Sequence, residues 1–147
     1  MRAVVTRVSS ASVEIDGAVT GKIGKGFLVL LGIKQTDTEE DALKLASKIC
    51  NLRVFADSDG KMNLNLEAIG GSLLVISQFT LFADTKSRRP GFSLAARPDV
   101  AIPLYELFIE ECKSAGFKVE TGEFGAMMNV SSVNDGPVTI IFDTESQ

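Results

Sequence analysis

The sequence predicts an α+β fold: a large mixed or antiparallel β-sheet, barrel-like, covered by two main helices. Three observations lead there. Apolar residues with a period of two, punctuated by glycine turns, fill the first part of the 147-residue chain. Two later stretches switch to the 3.6-residue period of amphipathic helices. The chain then returns to strand patterning, with no linker, low-complexity segment or clear repeat on the way. This length suits a single domain over residues 1–147 with a sizeable core. Many strands with few helices leave a sheet face for a second subunit to bury, which points to a homodimer.

The elements follow in order. Val4, Thr6 and Val8 alternate as a first strand, and Val13 and Ile15 continue a second. Asp16-Gly17 is a strong hairpin signal, and GKIGKG makes another turn. FLVLLGI, residues 27–33, is apolar throughout and reads as a strand buried on both faces. Thr38 followed by Asp41 marks a helix start. Ala42, Leu45, Ala46 and Ile49 supply that helix's apolar stripe. LRVFAD is a short strand and SDGKMN a turn. Residues 73–76 form a buried strand that runs into Ser77, Gln78, Phe79 and Thr80. A second helix is expected over 103–115, since proline fits a helix only in its first turn. Ala101, Leu104, Tyr105, Phe108 and Cys112 share its apolar side, and Gly116 suits the C′ position. Three strands close the chain, over 118–121, 126–132 and 138–142.

Composition narrows the chemistry. Hydrophobic residues make up 45% and charged residues 23%, as in a soluble globular protein. The apolar runs are too short to span a bilayer, and the start of the chain has no signal-peptide h-region. Cys50 and Cys112 fall on expected helices and read as small buried apolar residues in a reducing cytoplasm. Histidine is absent. Ser-His-Asp and Cys-His catalysis and histidine metal sites are therefore excluded, and no metal or cofactor is expected. The net charge of −4 argues against broad nucleic-acid affinity. Residues 85–97 are the local exception, with Lys86, Arg88, Arg89 and Arg97 and no acid. On charge alone this is either a solvated loop or a phosphate contact.

Three motifs break the strand pattern, and each has a structural and a functional reading. Alternation puts Ser77 and Phe79 on one face, Gln78 and Thr80 on the other. They are either a fraying strand end or a strand-end site offering hydroxyl, amide and N–H groups. NDGPVT is a tight turn before an edge strand, or a rigid pair of carbonyl acceptors at Gly136 and Pro137 fit for an ammonium group. TGEFGAMMNV supplies Phe124, Gly125, Ala126 and Met128. These are core packing at a strand start, or an apolar slot for a planar ring.

Taken together and in this order, the motifs resemble the D-aminoacyl-tRNA deacylase family, the bacterial and eukaryotic type often called D-tyrosyl-tRNA deacylase. The resemblance runs from MRAVVTRVSSASVEIDG through GKGFLVLLGI, SQFTLFAD, RRPGFS and TGEFGAMMNV to NDGPVT. The basic loop departs mildly: many relatives carry Gly before the arginine and Ser after the proline. The resemblance implies hydrolysis of the ester joining a D-amino acid, or glycine mischarged on tRNA-Ala, to the 3′ end of tRNA. It implies a homodimer in which a Gly-cis-Pro turn, here Gly136-Pro137, enters the partner's active site and excludes L-amino acids. Ser77, Gln78, Phe79 and Thr80 would then be catalytic. The N–H groups near Phe79 and Thr80 would stabilise the oxyanion, and the substrate's terminal adenosine 2′-OH would assist. Phe124, Gly125, Ala126 and Met128 would shape an adenosine pocket, and Lys86, Arg88 and Arg89 would meet tRNA phosphates. Two other classes stay open at this level: a Thr80-dependent hydrolase of small esters or peptides, and a non-catalytic binder of RNA 3′ ends.

Overall fold

A computed structural model describes residues 1–146. Its centre is β1 (Arg2–Ile15), one long strand where two were expected. The Asp16-Gly17 turn folds β2 (Ala18–Ile23) back onto the second half of β1. β3 (Gly26–Gly32) pairs antiparallel with the first half. β6 (Ser72–Ser77) joins β3 in parallel, and β7 (Val119–Thr121) joins β6 in parallel. The last strand, β8 (Asn129–Asp143), runs antiparallel along nearly all of β1. At the far side β2 comes up against β7: a Cβ on Gly21 would lie 2.9 Å from the Thr121 carbonyl oxygen. That approach leaves the mixed sheet nearly closed as a barrel. A small hairpin, β4 (Phe55–Ala56) and β5 (Met62–Leu64), stands apart.

The inward side of β1 is not the expected one. Ala3 and Val5 are buried while Val4 and Thr6 are only partly covered, and Val8 is buried again. The phase changes because the β1–β8 register breaks on both sides of Val8. A bulge inserts residues and turns the pleat, which a reading by twos cannot see.

α1 (Glu39–Cys50) begins where Thr38 and Asp41 predict. The Thr38 hydroxyl accepts from the Asp41 N–H, and the Asp41 carboxylate accepts from the Thr38 N–H at 2.8 Å. α2 (Pro98–Ser114) starts earlier than expected because Pro98, not Pro103, occupies the first turn. Pro103 sits inside the helix and withholds the N–H that would bond Asp99. Both residues are exposed, so water can satisfy that carbonyl. Gly116 takes the C′ position, φ 98°, its N–H donating to the Lys113 carbonyl.

Both helices cover one sheet face. Phe27, Val29 and Leu31 of β3, with Leu73 and Val75 of β6, pack against Leu45, Ile49, Leu104 and Phe108. The alternate residues, Leu28, Leu74 and Ile76, join Val8, Val13 and Ile23 in a second cluster on the other side. β3 and β6 are thus buried on both faces, as the unbroken apolar run predicts. Cys50 and Cys112 meet between the helices, free and buried, their sulfurs 3.6 Å apart. Hydrogen bonding with Cys112 lowers the Cys50 pKa and the same contact raises that of Cys112. No helix among the described residues is long and apolar enough to cross a membrane.

β8 behaves differently. Two strands were expected, parted by a turn, but Gly136 and Pro137 lie within one continuous strand. Thr6 pairs with Thr139 and Val8 with Asn134, so residues 135–138 bulge opposite Arg7 alone. The turn signal is accommodated as this bulge. β8 is exposed over most of its length, with Val133 at 60% and Ile141 at 66%.

Candidate active site

β6 ends at Ser77, and the chain does not continue as a strand. Gln78 caps a short 3-10 helix, Phe79–Phe82. The expected two-sided alternation of residues 77–80 therefore does not occur. The Gln78 N–H still donates to the Leu31 carbonyl at 2.8 Å, which fixes this corner to β3. Tyr105 fixes it from α2: its buried hydroxyl donates to the Val75 carbonyl at 2.8 Å. Burial pushes the Tyr105 pKa up to about 12, so it serves as a neutral strut.

Beside this corner lies a pocket of about 310 Å³. Ser77, Gln78 and Phe79 line it, together with Phe124, Gly125, Ala126 and Met128. Two motifs 45 residues or more apart in the chain thus meet at one cavity. Phe124 is braced by the Tyr105 ring, centroids 5.9 Å apart. Among the described residues, no ionisable side chain lines the cavity. Its polar groups are the Ser77 hydroxyl, the Gln78 amide and backbone atoms, set in an apolar shell of a kind that takes small uncharged rings.

Thr80 is not part of the lining. It is exposed, and its hydroxyl accepts a hydrogen bond from the Gln78 amide at 2.6 Å. Gly136 and Pro137 do not line the pocket either. Val130 of β8 does, and Gly136 lies six strand steps further on, roughly 20 Å at ~3.3 Å each. The Gly136-Pro137 peptide bond is cis. Gly136 has φ 146°, and a Cβ there would lie 2.6 Å from the Val138 nitrogen.

Lys86, Arg88 and Arg89 are exposed on a loop beyond the 3-10 helix. Its stem is closed by paired hydrogen bonds between Asp84 and Gly91, at 2.8 and 2.9 Å. The loop therefore emerges next to the Phe79 corner.

Some residues bearing on the site escaped the sequence reading, Met127 and Arg7 among them. Met127 lines the pocket and is 92% exposed; it could have been included with Met128. Arg7 carried no local signal. Its Nε donates to the Asp135 carbonyl at 2.9 Å and Nη1 to the Val54 carbonyl at 2.6 Å. It therefore ties the Gly-Pro bulge to the body of the protein.

The D-Tyr-tRNA(Tyr) deacylase family profile matches residues 4–143. The chain belongs to this family. It is 56% identical to the D-aminoacyl-tRNA deacylase of Thermosipho africanus, over 99% of this chain and 98% of that one. The D-aminoacyl-tRNA deacylase of Shewanella baltica is 59% identical over 95% and 97%. A solved structure described as a c-Myc DNA unwinding element binding protein superposes with a TM-score of 0.92. It is 39% identical, with 97% of this chain and 98% of that one covered. The family fold, a nearly closed mixed barrel with two helices, is thus the fold seen here.

Proposed function

We propose that this chain, acting as a single domain, is a D-aminoacyl-tRNA deacylase that works in translation quality control in the cytoplasm. Family membership supports the reaction: water cleaves the ester between a D-amino acid and the 3′-terminal ribose, leaving the free amino acid and tRNA. One observation carries the reading at the level of the site. The Ser77-Gln78-Phe79 corner and the Phe124-to-Met128 segment share one uncharged cavity. The terminal adenine fits between Phe124 and Met128, which brings the ester to the corner.

With no histidine in the chain and no acid or base lining the pocket among the described residues, reactivity is assigned to the substrate and the backbone. An aminoacyl ester is already activated, so positioning and oxyanion stabilisation suffice. The N–H groups of Phe79 and Thr80 begin a 3-10 helix, where donors lack partners within the helix. They are suited to the developing oxyanion, while the adenosine 2′-OH assists the attack. The Thr80 hydroxyl, engaged by Gln78 and outside the lining, suits positioning better than nucleophilic attack.

Chirality is read by the Gly136-Pro137 turn of a second subunit in a homodimer. The turn lies far from its own pocket along β8, and the strand carrying it is exposed in the single chain. Its carbonyls hold the substrate ammonium, an L side chain then collides with backbone, and a D side chain points away. Glycine, with no side chain, passes, so glycine mischarged on tRNA-Ala is also a substrate.

The test is ester loss from D-Tyr-tRNA, L-Tyr-tRNA and Gly-tRNA. The D and glycyl esters are cleaved and the L ester is spared. Thr80→Ala keeps substantial activity, and a tRNA ending in 2′-deoxyadenosine is nearly inert. Equal cleavage of D and L esters would remove the chiral reading. A dead Thr80→Ala with normal cleavage of the deoxy substrate would make Thr80 the nucleophile.

A further inference from the structure

The rim of the pocket carries an aromatic pair whose rings have no part in the proposed hydrolysis; only the Phe79 backbone N–H does. The Phe79 and Phe92 rings meet edge to face, their centroids 5.2 Å apart and their planes at 75°. Yet they are 56% and 37% exposed. Phe92 is held firmly in this position. It follows the Asp84–Gly91 stem directly, and its carbonyl accepts from the Ala95 N–H at 3.1 Å. The chain beyond it is stitched to residues 33–35 through Leu94 and Ala96. The ring therefore stands at the foot of the loop bearing Lys86, Arg88 and Arg89, and against the pocket-lining Phe79.

We propose that Phe92, with Phe79, forms a stacking platform for the penultimate, unpaired base of the RNA 3′ strand, an inference that rests on the terminal adenosine occupying the pocket. A cavity of about 310 Å³ with an apolar lining accommodates one nucleoside. The strand that carries it must leave across the rim. An edge-to-face pair leaves at least one face of each ring uncovered by the other, and any base can stack there. The neighbouring cations complement the strand's phosphates. Asp84 is the acid at the foot of the loop, and its Oδ1 accepts from the Lys86 N–H at 3.0 Å. The platform would thus distinguish an RNA end from a free nucleoside ester.

The experiment compares D-tyrosyl-adenosine with a D-tyrosyl-CCA trinucleotide. Phe92→Ala should raise KM about tenfold on the trinucleotide. It should leave kcat, and both parameters on the adenosine ester, within about twofold of wild type, the fold-changes being read directly. Phe92→Tyr should restore the low KM and Phe92→Leu should not. Equal change on both substrates, no change on either, or full rescue by leucine would overturn the proposal. A second arm uses a CCA oligonucleotide bearing a 3′ D-tyrosyl amide and 2-aminopurine at the penultimate position. Wild type should quench its fluorescence and Phe92→Ala should not; absence of quenching with wild type would overturn the platform. If wild type cleaved neither ester, the deacylase reading would fail, and the fluorescence would still decide the platform.

Discussion

The two sides of the barrel are finished to different degrees. The side under α1 and α2 is complete: Phe27, Leu73 and Phe108 are almost wholly buried, and Tyr105 satisfies its hydroxyl on Val75. The side formed by β8 is open, with Val133 and Ile141 exposed along a 15-residue strand. The pocket sits where these regimes meet, floored by the first and edged by Val130 of the second. This chain buries one face by itself and leaves the other exposed. On the proposed reading, a second copy on β8 would bring its Gly136-Pro137 bulge to a pocket that the chain's own bulge does not line.

Paired substitutions test this contrast most strongly. Phe108→Ala empties the closed side and should destabilise the fold by about 3–5 kcal/mol, read by urea unfolding. Ile141→Asp, on the open side, should leave circular dichroism unchanged but yield monomers in sedimentation, with activity lost. A dimeric, active Ile141→Asp would remove β8 from the interface.

Next in size is Gly136→Ala. Its Cβ must displace the Val138 nitrogen, and φ 146° strains a side-chain-bearing residue by about 1–3 kcal/mol. D-aminoacyl-tRNA turnover should fall roughly tenfold to a hundredfold, by the usual conversion of such strain. Wild-type turnover would show that the bulge takes no part.

Neutralising Lys86, Arg88 and Arg89 together should weaken tRNA binding and flatten its salt dependence by about 0.7 in the log–log slope per lost contact. Hydrolysis of the adenosine ester should not change. An unaltered slope would return the loop to solvent.

The smallest effect concerns Asp143, near the end of β8. Burial opposes its ionisation, but hydrogen bonds from Arg2 Nε at 2.9 Å and the Glu145 N–H at 3.0 Å outweigh it, and its pKa is lowered. A carboxyl with a depressed folded-state pKa contributes stability above its ordinary value of about 3.9 and loses it as pH falls through the lower folded value. The Tm advantage of wild type over Asp143→Asn should hold steady in the neutral range and shrink in acid below about pH 4. A difference that grew in acid would contradict this.

Much of this architecture was legible in the sequence because it rests on local rules. The Thr38–Asp41 cap, the Asp16-Gly17 hairpin and the doubly buried β3 follow from neighbouring residues alone. Ser77 and Gln78 stood out because they interrupt an apolar run where burial would penalise them, and both line the cavity. What was missed depends on contacts distant in sequence. Arg7 reaches Asp135 across the sheet. The same bulge keeps Gly136-Pro137 inside one strand, although the dipeptide reads locally as a terminator. The early start of α2 was hidden because two prolines competed for one first turn; in the structure Val100 and Ala101 pack against the core from within the helix.

Whether one subunit's bulge completes the other's pocket is tested by a mixed dimer. One chain lacks Gly136 and Pro137, and the other carries Ala126→Trp, which fills the pocket. Each homodimer should be inactive on D-Tyr-tRNA. In the mixed dimer, the intact pocket of the first chain meets the intact turn of the second, and about half of wild-type activity per dimer should return, as one of two equivalent C2-related sites is restored. A mixed dimer as inactive as its parents would mean that the turn serves its own subunit, and would contradict the account.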